Sequence, residues 1–201
     1  MEPAPLRGIN TLMEAPDLGP IEEYVPIPKT FWSFASEAPF ERCTVCEKRL
    51  LEDGTLYLIE KAFSRSEVVF EYAICVPCHL GLRDELSRQS LRLIDHYFDE
   101  HVNLSERRER LLETYSGDVD PWLDSCLITG KPATELNEYQ IMTLCDGSDM
   151  LFTYIPCLIS GEAMEGIQNI LSKKTRETLD SFVDEFLGIP PEAKSPTPYI
   201  G

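Results

Sequence analysis

Cys43-Thr-Val-Cys46 and Cys75-Val-Pro-Cys78 decide how this chain is read. Twenty-eight residues separate the two pairs. Four thiolates in two Cys-x-x-Cys pairs meet the tetrahedral, sulfur-rich demand of a zinc ion with little chain strain. Cys43, Cys46, Cys75 and Cys78 are therefore the expected ligands of one structural Zn2+. With all four positions filled by protein, such a site is closed to water and substrate, and its expected role is folding.

The spacing of the pairs is echoed downstream by Cys126-Leu-Ile-Thr129 and Cys157-Leu-Ile-Ser160. Slid by 82 positions, Tyr57 meets Tyr139, Ser66 meets Ser148, Phe70 meets Phe152, Tyr72 meets Tyr154 and Cys75 meets Cys157. With three more residues of offset, Leu86-Ser87-Arg88 meets Leu171-Ser172-Lys173, and Ile94 to Glu100 meets Leu179 to Glu185. Two blocks agreeing in the same order predict an internal duplication. In the second copy Thr129 and Ser160 stand where Cys46 and Cys78 stand in the first, and neutral hydroxyls are poor zinc ligands. That copy is expected to lack metal, leaving Cys126 and Cys157 as neighbouring thiols. Cys145 aligns with Phe63 and is expected as a small buried side chain.

Each copy carries the same local signals. Leu56 to Phe63 and Val68 to Ile74 flank the polar turn Ser64-Arg65-Ser66, and Tyr139 to Leu144 and Met150 to Ile155 flank a turn containing Asp146-Gly147. A helix follows each hairpin: Leu82, Leu86, Leu93 and Tyr97 fall on one stripe, as do Met164, Ile167, Leu171, Phe182 and Phe186. Asn103-Leu-Ser-Glu106 is a capping signal for a further helix between the copies, and Gly188 with Pro190 and Pro191 marks a stop.

A cysteine knuckle, a hairpin and a helix whose start carries the second pair resemble the treble-clef zinc-finger group over Cys43 to about His101, and in degraded form over the second copy. The resemblance implies an α+β fold of two tandem treble-clef-like units. The expected organisation is a Pro-rich extended arm (1–40), a zinc-binding unit (41–102), a helical connector (103–122), a degenerate unit (123–189) and a loose tail (190–201). The arm holds seven of the fifteen prolines. Its Tyr24, Phe31, Trp32, Phe34 and Phe40 are expected to bury themselves against the domain.

Other chemistries fit less well. Cys75-Val-Pro-Cys78-His79 matches a covalent haem-attachment pattern, which requires export, and a thioredoxin-type centre, which would leave Cys43 and Cys46 unexplained. Treble-clef nucleases place a histidine on or before the hairpin, whereas His79, His96 and His101 all fall on or beside the helix that follows. His79 is expected at a helix start, with His96 and His101 solvated. Asp95, Asp99 and Glu100 recur as Asp180, Asp184 and Glu185, but alternate with apolar residues and read as solvated helix faces. No catalytic motif stands out, so an enzyme is not expected.

A formal net charge of -17 disfavours nucleic acid and anionic membranes as partners. It suits a basic protein partner. With no export signal at the start and no long apolar run, a cytoplasmic protein with reduced thiols is expected. The function expected is a zinc-stabilised interaction or scaffold role. The alternative is a thiol-based redox or metal-sensing role using Cys126 and Cys157 or the zinc thiolates.

Overall fold

Two nine-residue strands, β2 (Leu56–Ser64) and β4 (Glu138–Asp146), lie side by side at the centre of one antiparallel sheet, paired along their whole length. The computed structural model describes residues 23–188. Over that range the chain is mixed α+β, with six helices and a six-stranded antiparallel sheet. Strand β3 (Glu67–Cys75) pairs with the outer edge of β2, as the hairpin reading expects. On the other edge, β4 is flanked by two short strands in line, β5 (Asp149–Leu151) and β6 (Cys157–Ser160). Strand β1 (Tyr24–Pro26) closes that side against β5. Its Pro26 is tolerated because the strand lies at a sheet edge.

The expectation of a strand continuing from Met150 to Ile155 is corrected. The second hairpin leaves the ladder after Leu151, passes through Ile155-Pro156, whose peptide bond is cis, and rejoins β4 at Cys157. Arg107 holds this excursion, donating to the carbonyls of Tyr154 and Pro156 at 3.2 and 3.3 Å and to that of Trp122 at 2.8 Å. Its guanidinium also lies 4.9 Å from the Trp122 ring centroid.

Each hairpin is followed by two helices rather than one. Helix α1 (Val76–Glu85) ends at Leu86 and α2 (Arg88–His101) begins after it; α5 (Gly161–Ile170) ends at Leu171 and α6 (Lys173–Phe182) follows. The breaks are made by Ser87 and Ser172. Each takes an extended backbone and accepts the amide of the residue three further on, a local bond that ends one helix and caps the next. The caps face each other: Ser87 N–H donates to Thr175 Oγ1 at 3.0 Å, and Ser172 N–H to Ser90 Oγ at 2.9 Å. Between the two halves run α3 (Leu104–Thr114), capped by Asn103, and the short α4 (Asp120–Leu123).

The centre of the sheet is covered on both faces, since Tyr57 to Ala62 are all buried. On one face Glu60 accepts the Tyr72 hydroxyl at 2.7 Å, and Tyr72 meets the Phe182 ring edge-on at 5.6 Å. On the other, Lys61 pairs with Glu71 at 3.2 Å and donates to the Trp32 carbonyl. The Glu71 carboxylate in turn accepts the Phe34 amide and the Ser33 hydroxyl. The described part of the arm is thus fastened to the sheet through a buried ion pair. Phe31 is fully buried, and Trp32 and Phe40 pack against the core. Tyr24 and Phe34 do not: they are 53% and 73% exposed, because the main chain carries the docking contacts at Phe34 and leaves its ring outward. Residues 1–22 of the arm and the tail 190–201 lie outside the described residues.

Candidate metal centre

The first knuckle is a tight turn. Glu47 N–H donates to the Cys43 carbonyl and Cys43 N–H to the Lys48 carbonyl, both at 2.9 Å. Glu47 adopts φ 60°, a left-handed conformation that lets the chain reverse within the turn. Thr44 N–H then donates to the Ala73 carbonyl at 2.8 Å, seating the turn on the free edge of β3. Two residues along that strand, Cys75 is the N-cap of α1, and Cys78 falls in the first helical turn. Pro77 is accommodated there because the first amides of a helix have no internal acceptor. Strand, cap and knuckle thus converge the two pairs.

The sulfur atoms of Cys43, Cys46, Cys75 and Cys78 all lie within 4.8 Å of one another. Cys46 Sγ is 3.7 Å from Cys75 Sγ. A tetrahedron with metal–sulfur bonds of about 2.3 Å has edges of about 3.8 Å, so the arrangement is of the right size for one zinc-like cation. Cys75 N–H donates to Cys43 Sγ at 3.4 Å, an amide contact that favours a thiolate. The Lys48 amide pulls the Cys46 thiol below its usual range, against burial. Burial pushes the thiols of Cys75 and Cys78 upward. Burial thus resists the ionisation of Cys75 and Cys78, a cost that a divalent cation at the centre of the four sulfurs would offset. Among the described residues no other group of three or more histidines, cysteines or acids has this geometry.

His79, expected at a helix start, lies in the first turns of α1 but is only 3% exposed, and burial followed by Arg83 lowers its pKa to about 3. The imidazole is held neutral. His96 and His101 are exposed. The carboxylates at 95, 99, 100, 180, 184 and 185 are exposed or half-buried on α2, on α6 and in the π-helical turn Val183–Leu187 that follows it.

A second knuckle of the same geometry forms at Cys126. Gly130 N–H donates to the Cys126 carbonyl and Cys126 N–H to the Lys131 carbonyl, both at 2.8 Å, and Gly130 has φ 68°. Leu127 N–H donates to the Leu158 carbonyl at 2.7 Å. Here, however, the helix cap is Ser160. Its amide donates to Cys126 Sγ at 3.3 Å, the Cys126 thiol donates to its hydroxyl at 3.3 Å, and that hydroxyl accepts the Ala163 amide. Ser160, and not Cys157, is thus the residue set against Cys126. The position that Cys78 holds in α1 is Ala163 in α5, which offers no ligand. Cys157 sits three residues earlier, opposite Met142, fully buried, with its thiol pushed up to about 12 by burial. Cys145 is buried opposite Tyr57.

The displacement of Cys157 escaped the sequence because two cysteines happen to coincide at an offset of 82. The offset of 85 that aligns the helices extends back through Ser160 to Cys157, and the three extra residues lie in the excursion before β6. Comparison with protein-family models, curated proteins and solved structures finds no match.

Proposed function

We propose that the chain is a non-catalytic, zinc-stabilised interaction protein built from two tandem treble-clef-like units, of which only the first, over residues 41–102, holds metal. Cys43, Cys46, Cys75 and Cys78 are its ligands. The single observation that carries this reading is the convergence of those four sulfurs to within 4.8 Å. The zinc supplies cohesion, contributing about 10–16 kcal/mol of apparent binding free energy near neutral pH, comparable to the whole stability of a domain.

The tandem reading draws on hydrogen bonds that recur in order: 43 to 48 and 126 to 131, 44 to 73 and 127 to 158, 75 to 43 and 160 to 126. It draws also on register. Glu60 lies opposite Met142, the position 82 residues on, and the ladder extends equally to either side, as a local two-fold axis between copies would require. Residues 123–189 are then the second unit, in which Thr129, Ser160 and Ala163 replace three of the four ligands, and 103–122 form the connector.

The interaction role rests on the acidity of the chain and on a metal site with no room for substrate. A basic protein is the partner we favour, over nucleic acid or a membrane. No helix among the described residues is long and apolar enough to cross a membrane. For the redox alternative the arrangement offers less, since Cys126 is bonded to Ser160 and Cys157 is a fully buried thiol. Exposure to glutathione mixtures of graded poise separates the two readings. Zinc should stay bound throughout; release and re-uptake that track the poise would transfer the assignment to redox sensing.

A further inference from the structure

Helix α5 carries Gly166, and a Cβ there would fall 2.6 Å from the Tyr97 hydroxyl: the ring of α2 lies across the glycine and closes the space between the two helices. In α1 the matching position is Gly81, and a Cβ there meets nothing within 4 Å. The matching aromatic is Phe182 of α6, which turns instead onto Tyr72. What is a closed contact between α2 and α5 is therefore an open groove of about 590 Å³ between α1 and α6. Gly81, Leu82, Phe182 and Phe186 give it an apolar floor. Its polar rim holds Glu85, Glu177 and Glu185 with Lys174, and Lys173 pairs with Glu177 at 3.2 Å, which leaves the rim acidic by one charge. Cys78 lines the same groove, so one wall depends on the metal centre.

We propose that this groove is the docking site for a basic peptide segment of a protein partner, which lays an aromatic side chain across Gly81 as Tyr97 lies across Gly166. The acidic rim on a chain of net charge -17 selects a partner with lysine or arginine flanking the aromatic. The exposed, side-chain-free helix surface at Gly81 offers a contact that an aromatic anchor desolvates on docking. The inference deepens the interaction role proposed above and takes its template from the repeat.

The test is selection from a displayed library of random peptides on the zinc-loaded full chain, followed by anisotropy titration of the recovered peptides. Recovered sequences should pair an aromatic with flanking basic residues. Gly81→Leu, which fills the groove, and the double variant Glu85→Lys with Glu185→Lys should each weaken binding by about tenfold or more. Zinc content and thermal melting of each variant are measured on the same samples, so loss of binding with metal and melting unchanged reports on the groove. Peptides that bind Gly81→Leu as well as the unaltered chain, recovered sequences without basic residues, or no enrichment at all would overturn the proposal while leaving the zinc reading intact. Binding that appears only after removal of residues 189–201, or self-association abolished by Gly81→Leu, would assign the groove to the chain's own tail or to a second copy, and would overturn it as well. Absence of zinc from the unaltered chain would instead sink the reading on which this one rests.

Discussion

Cys145 and Cys157 share a chain with four clustered cysteines but lie outside that cluster, buried in the sheet. Burial pushes both thiols upward, that of Cys157 to about 12 from a usual value of 9.0. The folded protein therefore keeps protons that the unfolded chain releases above about pH 9. With more protons bound in the native state, stability falls as pH rises, by up to about 1.4 kcal/mol per pH unit for each such group. Urea unfolding of the zinc-loaded protein and of Cys157→Ala should diverge between about pH 8 and about pH 10, the variant losing stability less steeply. Parallel slopes would mean that Cys157 ionises as freely in the fold as outside it. Residue identity alone did not reveal this division of labour. The cluster of four cysteines was legible because paired spacing is a chemical signature, whereas Arg107, which fastens three carbonyls and a tryptophan ring, carries no local pattern.

At the scale of elements, the two helix-borne glycines provide a matched comparison. Alanine is favoured over glycine in a helix interior by about 0.8–1.0 kcal/mol. Gly81→Ala meets open space and should gain about that much, raising the melting temperature. Gly166→Ala must displace the Tyr97 hydroxyl and should gain less or lose; combining it with Tyr97→Phe should recover part of the difference. Equal melting shifts for the two single alanine variants would contradict the close packing of α2 on α5. The hairpin β2–β3 was legible from its apolar runs and turn. The paired helices were not, because Leu82, Leu86, Leu93 and Tyr97 keep an apolar rhythm across the break at Ser87, and only the serine's own bond to Ser90 interrupts the helix. The second hairpin hid its excursion for a related reason: Phe152 to Ile155 are apolar enough for a strand, but the three-residue excess can leave the ladder because Arg107 satisfies its carbonyls.

Across the described residues, the cysteine cluster and the sheet are tied together. The clustered cysteines lie in one half, but β2 is paired along its full length with β4 of the other, and the caps of α2 and α6 interlock across the halves. Trp122, fully buried against Phe152, reports on the half without clustered sulfurs. In a Trp32→Phe background, removal of zinc by a chelator should shift Trp122 emission to the red with the same midpoint as the loss of far-ultraviolet ellipticity. A Trp122 signal that survives after the ellipticity has dropped would show that the halves fold separately. The α+β class and the position of the sulfur cluster could be read from the sequence. The interleaving could not, because nothing in a helix's local pattern says which hairpin or helix it packs against.

Metal stoichiometry by native mass spectrometry, with a count of reactive thiols in the denatured holo-protein and its Cys43→Ser and Cys126→Ser variants, tests the central claim most directly. The account predicts one zinc and, once denaturation releases it, seven reactive thiols in the unaltered chain, with one zinc in Cys126→Ser and none in Cys43→Ser. Zinc that survives Cys43→Ser, or a folded unaltered chain with no zinc at all, would contradict it.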